Sequence, residues 1–179
     1  LYVPIKNLFN VAYSRDVSIK MRSFYDYKKR NGMPTCAFAV YGYRREKGSK
    51  KLLVDENVAG VIQSIAAAKL FGLSLQQIAD KLNEQQVLCP AEYKRSISPN
   101  YKCGPRKKVV CKWTKMAVSR ILRNRVYTGC LELGKTYRPN YKVKRPFLAA
   151  KDSWSQYENA HEAILSKVEF DTIQRTMDV

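Results

Sequence analysis

Between residues 91 and 125 the chain sets Lys94, Arg95, Lys102, Arg106, Lys107, Lys108, Lys112, Lys115, Arg120, Arg123 and Arg125 against a single acid, Glu92. Tyr93, Tyr101 and Trp113 are interleaved among them. Carboxylates are too scarce here to ligate a catalytic metal, which disfavours a metal-dependent nuclease. What the stretch offers is electrostatic. A basic loop feeding a basic amphipathic helix is what a duplex phosphate backbone attracts.

The helical part is 114–124. With Thr114 as N-cap and about 100° per residue, Ala117, Val118, Ile121 and Leu122 fall on one arc. Lys115, Met116, Ser119, Arg120 and Arg123 fall on the other. The apolar arc should pack on the two preceding helices. The polar arc presents two arginines able to grip guanine edges or phosphates in a major groove. An isolated helix with this pattern would more often be a charged face with no partner. The adjoining basic loop shifts the balance toward a binding surface.

The totals frame this patch. Lys and Arg number 33 against 15 Asp and Glu in 179 residues, a net charge of +18 that implies an anionic partner. The charge is uneven. Residues 51–90 are close to neutral, and the tail from Asp152 is acidic. A composition 45% hydrophobic and 11% aromatic can bury a core, which argues against wholesale disorder. The chain has no apolar run of about 18 residues, so no membrane partner is expected. Its 5 cysteines form no CxxC pair and stand beside one histidine, His161. Free thiols in a reducing cytoplasm fit better than a zinc site. The start at Leu1, without an initiator methionine, and the end within a helical pattern suggest a piece of a larger protein.

Several elements must position the basic patch. Residues 4–30 read as one helix of roughly 40 Å, with Pro4 in its first turn and Ile5, Leu8, Phe9 and Ala12 as an apolar stripe extended by Val17, Phe24 and Tyr25. It ends in Lys28, Lys29 and Arg30 before the breaker Asn31-Gly32. That cluster fits either a solvated end complementing the macrodipole or a basic arm entering a groove. A short strand is expected over 36–43, followed by a polar turn carrying Arg44 and Arg45. A helix over 57–71 should bury Val58, Val61, Ile62, Ile65 and Leu70 and stop at Gly72. Ser74 and Gln77 form a capping box for a second helix that buries Leu75, Ile78, Ala79 and Leu82. Residues 87–113 read as a long loop in which Pro90, Pro99, Gly104 and Pro105 exclude a regular element. A strand over 126–133 should pair with 153–158, with a second basic loop or wing of Lys135, Arg138, Lys142, Lys144 and Arg145 between them. Ser166, with Glu169 three residues on, opens a last helix with apolar Val168, Phe170 and Ile173. The expected fold is mainly α with a small β-sheet (α+β): a long N-terminal helix, then a helix-turn-helix or winged-helix-like domain.

Several blocks resemble the large serine recombinases. NLFNVAYSRDVSIKMRS is similar to the long helix that follows their catalytic domain. YGYRRE, VDENVAGVIQSIAAAKLFGLSLQQIADKLNEQQV and WTKMAVSRILRNRVYTG resemble successive blocks of their recombinase domain. NAHEAILSKVEFDTIQ resembles the run into their zinc ribbon. The resemblance implies a division into a linker helix over 1–32, a DNA-binding recombinase domain over 33–151, and a lead-in to a truncated zinc ribbon over 152–179. It implies sequence-specific binding of a double-stranded attachment site, and self-association as dimer or tetramer in the full-length protein. The parent would integrate, excise or transpose mobile DNA from the cytoplasm of a bacterium. Ser14, Ser18 and Ser23 lack the Tyr-x-Arg-x-Ser setting of the family's nucleophile, so no catalytic residue is expected here. No cofactor is expected either, zinc belonging only to the downstream cysteine pairs. The family pattern suggests three contact zones. Lys28, Lys29, Arg30 and Asn31 would follow the minor groove. The 114–124 helix would read the major groove through Thr114, Lys115, Ser119, Arg120 and Arg123. Lys94, Arg95, Arg106, Lys107, Lys108 and Lys112 would hold backbone phosphates, with Arg44, Arg45 and Arg125 as further cations. A winged-helix transcription regulator is the alternative, opposed by the long leading helix. An RNA-binding protein would rest on charge alone.

Overall fold

The computed structural model describes residues 2–36, 38–45, 51–98, 101 and 110–177. In chain order its elements are α1 (Tyr2–Arg30), β1 (Tyr43–Arg45), β2 (Leu52–Val54), α2 (Glu56–Leu70), α3 (Leu75–Glu84), α4 (Pro90–Ile97) and α5 (Lys115–Leu122). There follow β3 (Leu131–Leu133), β4 (Thr136–Tyr137), β5 (Phe147–Leu148), β6 (Ser155–Tyr157) and α6 (Lys167–Met177). The class is the expected one, mainly α with small antiparallel sheets. Among the described residues the strands pair two by two, β1 with β2, β3 with β6 and β4 with β5. The residues gather into two units, one of 1–39, 45–53 and 129–162, the other of 40–44, 54–128 and 163–179.

The first unit is built on α1, 29 residues long and about 43 Å at 1.5 Å per residue. Its apolar residues are not a core stripe. Ile5, Leu8, Phe9 and Val17 are exposed, Leu8 and Phe9 at 70% each. Val11, Tyr13, Ile19 and Met21 are exposed as well, so apolar residues ring the helix instead of defining one face. The C-terminal end is where the helix is held. The Tyr157 hydroxyl donates to the Lys29 carbonyl. Met33 N–H reaches Lys28 O at 2.9 Å and Gly32 N–H reaches Lys29 O at 3.1 Å. These two bonds make a Schellman stop with Gly32 at φ +60°. A Cβ there would also stand 3.0 Å from the Tyr157 ring, so both backbone and packing select glycine.

The second unit is a helical core. α2 buries Val58, Ile62, Ile65 and Ala66, α3 buries Ile78, Ala79 and Leu82, and α5 buries Val118, Ile121 and Leu122. α6 adds Phe170 and Ile173. α2 packs against α3, α5 and α6, and α3 packs against α5. Both expected caps form. Ser74 Oγ accepts from Gln77 N–H at 3.2 Å while Gln77 Oε1 accepts from Ser74 N–H at 2.9 Å. Ser166 and Glu169 exchange the same kind of pair.

Four further expectations fail. The strand expected over 36–43 is displaced to β1, because Tyr41-Gly42 forms a turn. Gly42 holds φ +92°, and a Cβ there would lie 2.1 Å from Ile62 Cδ1. Residues 87–113 contain α4, since Pro90 occupies its first turn, where a missing N–H costs nothing. The strand expected over 126–133 begins only at β3. Residues Arg125–Thr128 form a 3-10 turn. Asn124 nucleates it, its Oδ1 accepting from Val126 N–H at 3.2 Å and its carbonyl from Tyr127 N–H at 3.2 Å. Leu70 and Val168, expected in the core, are exposed at 40% and 77%. Both sit at helix ends, where the core face has already turned away.

Candidate nucleic-acid interface

α5 owes its position to Trp113, the residue before its N-cap. Trp113 is buried, and Asn83 grips its backbone at both polar atoms. Asn83 Oδ1 accepts from Trp113 N–H at 2.8 Å, and Asn83 Nδ2 donates to Trp113 O at 3.0 Å. The indole Nε1–H donates to Val87 O at 2.9 Å. The ring meets Tyr41 edge-on at 5.7 Å, and Tyr41 meets Tyr93 edge-on at 5.6 Å. The next residue starts the helix. Thr114 is extended, and its Oγ1 accepts from Ala117 N–H at 3.2 Å.

With the apolar arc buried, the opposite arc is presented outward. Lys115, Met116, Arg120 and Arg123 are exposed and Ser119 is half-buried between them. The structure therefore brings together five of the expected residues, Thr114, Lys115, Ser119, Arg120 and Arg123, on one short helix. No acid interrupts this face, because the helix sequence KMAVSRIL has none. Arg125 lies just beyond, half-buried in the 3-10 turn, with its carbonyl taken by Thr128 Oγ1 at 2.8 Å.

Lys94 and Arg95 sit on α4, which is tied down from two directions. The Tyr93 hydroxyl donates to Asp55 Oδ2 at 2.6 Å, and Asp55 caps α2 by accepting from Asn57 N–H at 3.3 Å. Burial first, and then Asp55, hold the Tyr93 hydroxyl above its usual range. Glu92 Oε1 accepts from Cys111 N–H at 2.8 Å, and Cys89 Sγ donates to Cys111 O at 3.1 Å. Cys111 is thus fixed beside α4, next to exposed Lys112. Arg95 is engaged in this arrangement, its Nη1 lying 2.6 Å from Glu92 Oε1. Lys94 Nζ lies 5.9 Å above the Tyr101 ring. Arg106, Lys107 and Lys108 fall outside the described residues.

Arg44 is exposed on β1. In the first unit, Arg45 Nη1 donates to Cys36 O at 2.5 Å, a structural use of that cation. At the end of α1, Lys28 Nζ lies 4.5 Å over the Phe24 ring and Lys29 Nζ lies 3.3 Å from Asp26. Arg30 is exposed. Asn31 Nδ2 donates to Tyr27 O at 2.8 Å, so its amide closes the helix. The supporting pairs Asn83–Trp113 and Asp55–Tyr93 carry no signal in sequence, since a polar contact across 30 or 38 positions has no local pattern.

The family model described as Recombinase matches residues 56–179. No curated protein matches the chain. Among solved structures, the fold is similar to a chain in a crystal structure of an LSR–DNA complex. That chain is 17% identical, the match covers 89% of this chain and 38% of that one, and the TM-score is 0.54. At that identity the likeness is one of fold, and this chain spans well under half of its neighbour. A chain from work on the Listeria innocua prophage attP site is 19% identical, with 89% of this chain and 51% of that one covered. Its TM-score of 0.44 is too low to bear on the fold. The family match runs through α2, α3, α4, α5 and α6, the elements that build and hold the basic helix face. The chain belongs to the Recombinase family.

Proposed function

We propose that this chain binds double-stranded DNA with sequence preference, as the attachment-site-binding part of a recombinase that integrates, excises or transposes mobile DNA. One observation carries the reading. α5 buries Val118, Ile121 and Leu122 of its apolar arc and turns outward a face of Lys115, Ser119, Arg120 and Arg123, with no carboxylate in the helix. A helix of about 8 residues held at its N-terminus by a buried aromatic fits a major groove, where arginine can bond guanine O6 and N7 together. The cations of α4 and of residues 102–108 supply sequence-independent phosphate contacts, and Lys28–Asn31 a minor-groove path. The full-length protein self-associates on two half-sites in the cytoplasm, as the dimeric logic of such sites requires.

Substitution separates the roles. Arg120→Ala or Arg123→Ala should cost about 1–3 kcal/mol on the cognate site and relax discrimination against altered sites. Lys107→Ala should weaken cognate and random duplexes alike. Fluorescence anisotropy on both duplexes checks this, and identical behaviour of helix and loop variants would refute α5 as the reader. The reading also makes binding metal-free. EDTA at millimolar concentration should leave the anisotropy isotherm unmoved, and a loss restored by zinc would contradict it.

A further inference from the structure

The β4–β5 hairpin carries a charge cluster that the contact zones above leave unused. Arg138, Lys142, Lys144 and Arg145 are exposed around its tip, and no acid occurs between Glu132 and Asp152. None of the four has an ion-pair partner among the described residues. Lys142 Nζ rests 6.0 Å over its neighbour Tyr141.

The tip is shaped and anchored. β4 and β5 pair Thr136 with Leu148 and Tyr137 with Phe147, whose rings lie 6.0 Å apart. Asn140 Oδ1 accepts from Lys142 N–H at 3.0 Å and from Val143 N–H at 3.2 Å, an Asx turn that fixes the bend. At the tip, Arg22 Nη1 donates to Pro139 O at 3.3 Å. At the base, a Cβ on Gly134 would lie 3.7 Å from the Lys29 side chain. The hairpin therefore runs back along the last two turns of α1, within the same unit. Lys135 Nζ, over the Trp154 ring at 5.1 Å and 2.6 Å from Glu132, steadies its root.

Four uncompensated cations on a fixed, outward tip cost folding free energy through mutual repulsion and contribute nothing to the core. Placed beside the cationic end of α1, they suit one ligand chemistry, a row of phosphates. We propose that the β4–β5 hairpin is a second phosphate-binding element, which grips the duplex backbone alongside the segment held by the end of α1. The proposal rests on the DNA-binding reading above and assigns it a clamp that reads no bases.

The test is the salt dependence of binding by the whole chain to one duplex, measured by anisotropy. Each phosphate contact contributes about 0.9 to the slope of log affinity against log salt. Arg138→Gln with Lys142→Gln, and separately Lys144→Gln with Arg145→Gln, should each lower that slope by about 1–2 and weaken cognate and random duplexes equally. Lys6→Gln with Arg175→Gln removes the same charge from exposed positions elsewhere and should leave the slope unchanged. An unchanged slope in both hairpin variants would overturn the proposal while leaving wild-type DNA binding intact. An equal drop in the Lys6/Arg175 variant would also overturn it, because net charge alone would then explain the effect. Absence of duplex binding by the wild type would instead remove the reading on which it rests.

Discussion

Raising the salt from 50 to 200 mM should weaken duplex binding by this chain roughly 10³–10⁵-fold. The expectation comes from the number of cations clustered along the basic stretch and on the outward face of α5. α5 supplies Lys115, Arg120 and Arg123, and the base of the basic loop supplies Lys94 and Lys112. Residues 102–108 add Lys102, Arg106, Lys107 and Lys108. If about 6–10 phosphates are neutralised, each releases condensed counterions, and affinity falls as a high power of salt concentration. Cations already committed inside the protein do not count. Arg45 bonded to Cys36 O and Arg95 paired with Glu92 should contribute less than their charge suggests. A titration series in potassium chloride measures the slope. A flat profile would show that binding, if present, is not a phosphate interaction.

The largest effect on stability should come from Trp113→Ala. Removing a buried tryptophan costs about 3–5 kcal/mol through lost transfer and the cavity left behind. Here the indole also satisfies Val87 O and braces Tyr41, which in turn braces Tyr93 on α4. For a chain of this size that corresponds to a melting temperature lower by roughly 6–20 °C. Trp113→Phe keeps the ring contact and leaves Val87 O without its donor, so a smaller loss of about 1–3 kcal/mol is expected. Urea unfolding followed by circular dichroism measures both. A loss under about 1 kcal/mol for Trp113→Ala would show that α5 is held by its apolar arc alone. Sequence discrimination should fall with stability, because the residue that fixes the helix start is the residue removed.

What the sequence made legible was periodic or capped. The arc of Ala117, Val118, Ile121 and Leu122 against Lys115, Arg120 and Arg123 is a matter of helical spacing, and it stands in the structure as read. The Ser74–Gln77 box and the Ser166–Glu169 pair were visible because their partners are three residues apart. α4 was missed because Pro90 was read as a breaker, although at a first turn it favours a helix. Val126 and Tyr127 looked like strand residues by type. Tertiary bonds decided otherwise, with the Tyr127 hydroxyl on Tyr41 O at 2.9 Å and its ring stacked on Tyr43. Among the expected site residues, the sequence could show where positive charge lies but not which cations the fold uses internally. Arg45 has a partner set by the turn that follows Cys36, Asn31 one set by the helix end, and Arg95 one, Glu92, that appears only once 90–97 is known to be helical.

The central claim is that the outward face of α5 lies against DNA bases, and photocrosslinking tests it most directly. A benzophenone amino acid replacing Met116, which is 55% exposed on that face, should crosslink to one short cluster of base positions in a cognate duplex. The same group replacing exposed Val168 on α6 should give little crosslinking. No adduct from position 116, or equal yields from both positions, would contradict the account.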